Sequence, residues 1–435
     1  MGLSRVMVCS YPTLKGGVVA SGALTENVEP TPGGVTEPAT NITGTTATLN
    51  GVVAPEERET SFHFEYGRTA TYETAIPVPN ANAPGRNGTD AVSNGITHLE
   101  PETTYHYRLV ATNADGTTDG ADRTFATGPA STYLGSIGSA GTSEGHISGA
   151  RGFAIDAEGY TLVADSGNHR VDAFNAKGEY SKAIGVTGTE EEKLAEPQGV
   201  AVDREAKVWI ADTDANRLEV YSECGGFLKA IGRFGGGLAK FDQPTGITVG
   251  HGNVFVADSA SNRIQKFNES GTFLGMAGYN VQDGGEDKFE ICELLCRVGV
   301  AGSGPGQFND PRGIAVGPNG CVYVADTGNN RIEIYNEHGE YQRTFGSVGT
   351  KPGQFEEPDG ITVASNGDIL VVDSGNKRVQ KCNESGECKV LIDPPTGQSG
   401  HLELPWGIQI NGAGEVDVSD ATASHIEKFS LAEGP

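Results

Sequence analysis

The sequence predicts an all-β protein built mainly from a repeated four-stranded unit. Its 435 residues exceed what one hydrophobic core usually organises, so several domains or a repeat are expected. The 63 glycines and 21 prolines indicate many turns, and only 7% of the residues are aromatic. In addition, two short motifs return six times in the same order along residues 131–431.

The first motif is Pro-x-Gly followed by alternating apolar residues, and it opens each copy, with alanine in place of proline in the first. Successive motif glycines are 47 residues apart, except for a 67-residue step between the third and fourth copies. So regular a period predicts one structural unit per copy. The motif glycines are Gly152, Gly199, Gly246, Gly313, Gly360 and Gly407.

The second motif ends each second strand with an aspartate, and a basic residue follows five positions later. A pair repeated identically in every copy indicates a structural role, either fixing the turn between two strands or linking neighbouring units. A catalytic role would call for the pair in one copy only. The pairs are Asp165/Arg170, Asp212/Arg217, Asp258/Arg263, Asp326/Arg331, Asp373/Arg378 and Asp420/His425.

Each copy divides into four short strands separated by Gly/Asn turns, as in GIAV, CVYVAD, RIEIY and YQRTFG of the fourth copy. A four-stranded antiparallel sheet repeated radially is the blade of a β-propeller. The segment GQFNDPRGIAV…VYVADTGNNRIEIY closely resembles the NHL repeat. The resemblance covers about residues 131–430 and implies a six-bladed propeller. Such propellers serve protein-binding, RNA-binding and catalytic domains alike.

The ends of the repeat region predict how the ring closes. The last copy stops after its third strand, at HIEKF, whereas residues 132–137 form an outer strand with no blade of their own. We expect the early strand to complete the sixth blade, which would remove two exposed sheet edges.

Residues 31–128 show a different strand pattern, with segments such as ATLNGVV and TYHYRLVATN. The stretch Leu99-x-Pro101-x-Thr103-x-Tyr105-x-Tyr107 resembles the signature of fibronectin type III domains. That resemblance implies a β-sandwich in which the Tyr105 hydroxyl bonds back to the backbone, as in a tyrosine corner. No tryptophan stands in ATLNGVV, where many family members have one. The first 30 residues are interpreted as a disordered leader without a clear signal peptide.

The residue before each motif glycine is the candidate binding position. It lies where the innermost strands converge on the central channel, and it varies in charge and size while its surroundings repeat. Variation on a constant scaffold is typical of recognition. We call these six residues the mouth ring: Arg151, Gln198, Thr245, Arg312, Asp359 and Trp406.

The 67-residue step places an insertion at about residues 279–301, on the same face as the mouth ring. Its acidic residues lack the spacing of an EF-hand, and its glycines precede no helix. Two cysteine pairs lie close in sequence and are candidate disulfides, Cys292–Cys296 and Cys382–Cys388. Local disulfides would imply an extracytoplasmic location, secreted or at the cell surface.

Composition and charge narrow the function. The net charge of −26 repels phosphate backbones, so nucleic acid is not an expected partner. No apolar run approaches the roughly 20 residues that cross a bilayer. No catalytic residues, metal ligands or cofactor motif stand out. The favoured interpretation is a non-enzymatic binding or scaffold protein whose propeller face takes a protein, peptide or glycan, as the resemblance to bacterial extracellular NHL proteins implies.

Two alternatives remain open. One is a propeller enzyme of the lyase or the hydrolase/lactonase type. Amidating lyases with NHL-like propellers hold zinc through histidines at the mouth-ring positions, and this chain has none there. Metal-dependent propeller hydrolases use inward carboxylates, and only Asp359 stands in this ring. The other alternative is an RNA-binding NHL domain, for which Arg151 and Arg312 would contact phosphates.

Overall fold

A computed structural model describes residues 31–42, 44–83, 88–128, 130–186, 188–189, 192–279, 299–394 and 397–431. The expected leader, the Cys292–Cys296 pair and most of the insertion lie outside these residues. The chain divides into two compact units, Met1–Ala130 and Ser131–Pro435.

The described part of the first unit consists of two antiparallel sheets that share one core. Leu49 and Val53 of one sheet pack in the same apolar cluster as Phe64 and Leu109 of the other. The backbone N–H of Glu100 donates to the Tyr105 hydroxyl at 3.0 Å, which is the backward bond expected of that tyrosine. The sheets are β1 (Gly33–Thr40), β2 (Ala47–Ala54) and β5 (Asp90–Ile96), and β4 (Thr74–Ala83), β3 (Thr60–Gly67), β6 (Thr104–Asn113), β7 (Gly116–Asp119) and β8 (Arg123–Ala126).

Three of these strands were not anticipated, and all three lie at sheet edges. Strand β1 carries Pro38 and strand β4 carries Pro77 and Pro79. Proline cannot donate to a sheet ladder, so it weakens the strand signal and is tolerated at edges. The third, β7, has four residues and is too short for a periodic pattern to appear.

The described part of the second unit contains six four-stranded antiparallel sheets arranged as propeller blades, with their first strands packed side by side around a channel. The second strand of a blade is buried along its whole length, as in VYVAD, because blades cover both its faces.

The strands of blades one to three are β10–β13 (Ala150–Ile155, Thr161–Asp165, Arg170–Phe174, Tyr180–Ile184), β14–β17 (Pro197–Val202, Val208–Asp212, Arg217–Tyr221, Phe227–Ile231) and β18–β21 (Pro244–Gly250, Asn253–Asp258, Arg263–Asn268, Phe273–Ala277). Those of blades four to six are β22–β25 (Pro311–Val316, Val322–Asp326, Arg331–Tyr335, Tyr341–Phe345), β26–β29 (Pro358–Val363, Ile369–Asp373, Arg378–Cys382, Cys388–Ile392) and β30–β32 (Pro405–Ile410, Val416–Asp420, His425–Leu431) with β9 (Ser131–Ile137). Single 3-10 turns occupy Ser166–Asn168, Thr327–Asn329 and Ser374–Asn376.

The ring closes as the sequence predicts. Strand β9 pairs antiparallel with β32, with Ile137 opposite Ile426 and Tyr133 opposite Phe429. The rings of Tyr133 and Phe429 lie 5.8 Å apart, so closure also buries aromatic surface. In the fifth blade a disulfide joins Cys382 and Cys388, which face each other across β28 and β29.

Each motif glycine is required by the close approach of neighbouring inner strands. A Cβ atom on Gly313 would lie 1.9 Å from the carbonyl oxygen of Asp359 in the next blade, and one on Gly360 would lie 2.3 Å from that of Trp406. The same relation runs around the ring, and at its end a Cβ on Gly407 would meet the carbonyl oxygen of Arg151 at 3.0 Å. The inner strands therefore approach one another more closely than any larger residue allows.

We predict that Gly313→Ala destabilises the propeller by roughly 1–3 kcal/mol, because the added methyl group meets backbone that cannot swing away. Chemical denaturation of the full chain measures the effect. Gly412→Ala is the matched control, since a Cβ there has nothing within 4 Å. Equal stability of the two variants would mean that the inner strands can separate at little cost.

We also predict that deleting residues 132–137 lowers the melting temperature of the whole propeller in one cooperative transition. The deletion exposes the edge of β32 and uncovers Ile426, which is fully buried. Scanning calorimetry of the full chain and of the deletion variant provides the measurement. An unchanged transition would show that the ring does not depend on this strand.

Candidate functional site

The mouth ring lies at the start of the innermost strands. In the fourth blade Pro311 pairs with Asp326, and the register then shifts before pairing resumes at Ile314. The other five blades show an irregularity at the same place. Such a bulge releases the mouth-ring residue and the glycine from regular pairing and re-aims the side chain. Five of the six then line one cavity: Gln198, Thr245, Arg312, Asp359 and Trp406.

A hydroxyl group from the preceding blade anchors the strand start beside most mouth-ring residues. Thr327, directly after the motif aspartate of the fourth blade, donates to the carbonyl oxygen of Pro358 at 2.7 Å. Equivalent bonds of 2.5–2.7 Å join Ser166 to Pro197, Thr213 to Pro244, Ser259 to Pro311 and Ser374 to Pro405. These buried bonds hold the starts of five inner strands in place, and with them the position of the ring residue that follows each proline.

The junction of the sixth and first blades is built differently. Ala421 and Ala150 occupy the hydroxyl and proline positions there. In their place the backbone N–H of Gly149 donates to the Ser424 hydroxyl at 3.1 Å, and Gln409 Nε2 donates to the Phe153 carbonyl oxygen at 3.3 Å. Arg151 therefore follows a strand start that is held by different hydrogen bonds from those at the other five junctions.

Arg312 is neutralised by two carboxylates. Its Nη1 donates to Asp359 Oδ1 at 3.0 Å, and its Nε donates to Asp310 Oδ2 at 3.0 Å. Burial alone would lower the pKa of Arg312, but the two carboxylates outweigh burial and raise it. The positive charge of this residue is thus already satisfied within the protein.

Trp406 contacts both arginines of the ring. The Arg151 Cζ atom lies 3.9 Å from the centroid of the indole ring, and the Arg312 Cζ atom lies 5.3 Å from it. Both distances are within the range of cation–π attraction. The indole therefore holds two like charges near each other, which would otherwise repel.

Arg151 differs from Arg312 in having no ion pair. Among the described residues, none accepts a hydrogen bond from its guanidinium or lies within ion-pair distance of it. Burial lowers the pKa of Arg151, the charges of Glu196 and Asp359 act in the opposite direction, and the Arg312 charge adds a smaller lowering. A half-buried cation with free N–H groups is the main electrostatic feature of the site.

The ring residues of the second and third blades, Gln198 and Thr245, carry no charge. Gln198 Nε2 donates to Glu196 Oε1 at 3.1 Å, so this carboxylate has a partner other than Arg151. The hydroxyl of Thr245 lies 2.6 Å from that of Ser259 and 3.3 Å from the Arg312 carbonyl oxygen. Thr245 thus belongs more to the scaffold than to the open mouth.

The cavity enclosed by the ring is small. Its volume of about 60 Å³ has the motif glycines and the following apolar residues as its wall. This is room for roughly four water molecules. A carboxylate or a similarly slender group fits within it.

Asp359 is the one carboxyl group among the described residues that line this cavity. Its side chain is 3% exposed. Burial raises its pKa to about 6 against the opposing effects of Arg312, Ser374 and Arg151. The carboxyl group therefore changes charge near neutral pH.

The repeated aspartates pin loops within their own blades, as a structural role implies. Asp326 accepts the backbone N–H of Asn309 at 2.8 Å, and Arg331 donates to Asp326 at 2.7 Å and to the Gln307 carbonyl oxygen at 2.6 Å. Each pair thus ties the loop that precedes a blade to the turn between its second and third strands. Direct aspartate–arginine ion pairs occur at Asp165/Arg170, Asp258/Arg263, Asp326/Arg331 and Asp373/Arg378.

The remaining two pairs, Asp212/Arg217 and Asp420/His425, do not form a direct ion pair. In the second blade Arg217 turns to Glu219, and in the sixth blade His425 Nε2 lies 2.8 Å from Glu427. Both carboxylates stand two residues further along the strand. In the first and fourth blades, Asp172 and Glu333 occupy the same position, and there the arginine contacts both carboxylates. Asp212 and Asp420 still accept backbone N–H groups from their loops. The loop is therefore held by the aspartate even where the ion pair with the base is missing.

A second layer that was not expected from the sequence supports the ring. Asp310 and Glu196 stand two residues before Arg312 and Gln198, and each binds the ring side chain two positions later. The polar residue before four of the five motif prolines was the signal for this layer. It carried little information alone, because loops before strands are commonly polar.

Two further findings concern the described residues only. No three histidine, cysteine, aspartate or glutamate side chains come together there as a metal site would require. Within the same part of the chain, no helix has the length and apolar character needed to cross a membrane.

Comparison with known proteins identifies the repeat. The family model of the NHL repeat matches residues 241–267, 308–335 and 355–382, which run from the first to the third strand of blades three, four and five. The chain therefore contains NHL repeats. A structural genomics protein of unknown function from Bacteroides thetaiotaomicron is similar in fold, with a TM-score of 0.51 and 16% identity over 93% of this chain and 99% of that one.

Two curated proteins match a short segment. Protein brain tumor of Drosophila melanogaster is 41% identical over 51 residues, which is 12% of this chain and 5% of that protein. B-box type zinc finger protein ncl-1 of Caenorhabditis elegans is 40% identical over 47 residues, which is 11% of this chain and 6% of that protein. The match thus spans about a twentieth of the length of these relatives and indicates a shared repeat.

We predict that Asp359 makes the stability of the propeller depend on pH. Its folded-state pKa of about 6 lies above the ordinary value of 3.8, so the folded protein favours the protonated form. The resulting stabilisation is complete below about pH 4 and is lost as the pH rises through about 6. Between about pH 4 and pH 7, the free energy of unfolding should fall by on the order of 2 kcal/mol relative to Asp359→Asn.

Urea denaturation of both proteins at a series of pH values measures this difference. Asp359→Asn keeps the side-chain volume and removes the titration, so other groups cancel between the two proteins. A difference that does not vary with pH would mean that Asp359 is ionised throughout the range.

Proposed function

We propose that this NHL-repeat propeller is a non-enzymatic binding protein that takes its partner, a protein, peptide or glycan, at the mouth ring. The observation that carries the proposal is Trp406, a half-buried tryptophan at the channel mouth with two guanidinium groups over its ring. Tryptophan and arginine are the residue types most enriched at the energetic centres of interfaces.

The constancy of the scaffold supports the same proposal. The glycines, hydroxyl groups and loop-pinning aspartates recur from blade to blade, whereas the six ring positions carry five different residue types. Surfaces that vary on a rigid framework can acquire binding specificity without a loss of stability. Within the described residues, the ring is also the place where all six blades contribute to one cavity.

An extracytoplasmic location is part of the proposal. The Cys382–Cys388 disulfide supports it, because disulfides persist in oxidising compartments. Its loop is short, so the bond constrains one hairpin of the fifth blade rather than the whole ring.

A second candidate function is catalytic and rests on Asp359. A buried carboxyl group with a pKa of about 6 beside an arginine has the properties of a general acid or base. The two functions differ in one observable. A catalytic site would return a chemically altered ligand and would lose that ability in Asp359→Asn, whereas a binding site returns the ligand unchanged.

We predict that Trp406→Ala weakens binding of the partner by more than ~1 kcal/mol without lowering the melting temperature. The partner is isolated by affinity capture on the immobilised full chain and identified by mass spectrometry, and its affinity is then measured by titration. Arg312→Ala is a poor probe, because it would leave the buried Asp359 without its ion pair.

Glu384→Ala is the matched control. Glu384 is exposed in the turn between the third and fourth strands of the fifth blade, which lies on the face opposite the mouth ring. The control should bind as the wild type does. If Trp406→Ala binds equally well too, the partner docks elsewhere on the chain.

A further inference from the structure

We infer that the mouth ring recognises the carboxylate of an acidic side chain on a peptide or protein partner, with Arg151 as its receptor. The inference rests on the proposed binding function and adds the chemical class of the ligand. It is carried by the contrast between the two arginines of one site, of which Arg312 has two carboxylate partners and Arg151 has none among the described residues.

The geometry of Arg151 leaves its hydrogen-bonding edge available. The guanidinium carries five N–H donors in its plane. Its Cζ atom lies 3.9 Å from the Trp406 indole centroid, within the range of cation–π attraction. Pairs of N–H groups on a guanidinium match the two oxygens of a carboxylate, and no described residue accepts a hydrogen bond from those of Arg151.

Arg151 is a partly desolvated cation without an ion pair among the described residues, so an anion is its preferred occupant. Burial lowers its pKa, and the charges of Glu196 and Asp359 offset this lowering only in part. A carboxylate bound directly to the guanidinium would stabilise the charged form further. Asp310 and Asp359 are engaged by Arg312, and Glu196 accepts a hydrogen bond from Gln198, so none of the three occupies the donors of Arg151.

The half-burial of Arg151 selects among anions. Arg151 lies beside the cavity rather than in its wall, with its Cζ atom 3.9 Å from the indole centroid of Trp406, which lines the cavity. A glutamate carboxylate stands at the end of a slender, flexible stem and can reach a half-buried guanidinium. The carboxylate of a uronic acid is attached directly to a sugar ring, which is bulkier at the point of entry. An acidic peptide therefore fits better than an acidic glycan.

The two tryptophans of the chain provide a direct readout. Trp209 is fully buried and its indole N–H donates to Asp203 at 2.9 Å, so a small ligand in solution cannot reach it. Trp406 lies against the proposed anion position. A change in tryptophan fluorescence upon titration thus reports on the mouth ring, and Trp406→Phe should abolish the signal.

The test titrates the full chain with three probes, which are the blocked tripeptide Gly-Glu-Gly, its glutamine analogue Gly-Gln-Gly, and glucuronate. The glutamate peptide should give a saturable fluorescence change, and the other two should bind at least tenfold more weakly. Arg151→Gln should weaken binding of the glutamate peptide at least tenfold. Lys177→Gln is the matched control, because it removes one positive charge from an exposed turn on the opposite face of the same blade.

Several results would overturn the inference. Equal responses to the glutamate and glutamine peptides would exclude carboxylate recognition, and unchanged binding in Arg151→Gln would exclude this receptor. Tighter binding of glucuronate would replace the peptide with an acidic glycan. Calorimetric melting of Arg151→Gln confirms that any loss of binding is not unfolding.

The failure of this inference can be distinguished from failure of the proposed function. If a captured partner is lost by Trp406→Ala and retained by Arg151→Gln, the mouth ring binds it without a carboxylate. If the glutamate peptide binds and the partner is retained by Trp406→Ala, the anion site exists but is not the partner's docking site.

Discussion

The contact between neighbouring inner strands is the constraint on which the propeller depends. Around the ring, the backbone of one blade fills the space where a side chain of the preceding motif residue would stand, so that residue must be glycine. A hydroxyl group donated to the carbonyl oxygen at the next strand start sets the position of that backbone at five junctions among the described residues. The channel and its mouth have their shape because these two contacts repeat.

The candidate site follows from that constraint. Because backbone packing holds the inner strands in place, the residue next to each glycine contributes little to the ring and can vary. The resulting set of side chains is uneven in charge. Arg312 is paired with Asp310 and Asp359, whereas Arg151 enters from a junction without the usual hydroxyl bond and has no ion pair among the described residues. In a chain of net charge −26, one available cation at the channel mouth marks a specific position rather than a general attraction for anions.

Much of the fold could be predicted from the sequence, because its signals are local and repeated. Six copies of two motifs predict the blades, and the unmatched segment at residues 132–137 predicts the closure that β9 and β32 make. The strands missed in the first unit are those in which proline or short length removes the periodic pattern. The aspartate–arginine relation was predicted for every blade. In the second and sixth blades the base contacts Glu219 or Glu427 instead, and the spacing of the motif does not reveal that change of partner.

The sequence by itself determined the architecture and the identity of the mouth ring, since both follow from residues at constant spacing within each repeat. Only the tertiary structure decided which ring residues meet and which charges are satisfied. Arg151 and Trp406 belong to the first and last blades, and closure of the ring brings them to 3.9 Å. The two arginines occupy equivalent positions, yet one is neutralised and the other is not. The physical reason is that an ion pair depends on distances of a few ångströms between side chains from different blades, and periodicity along the chain does not encode those distances.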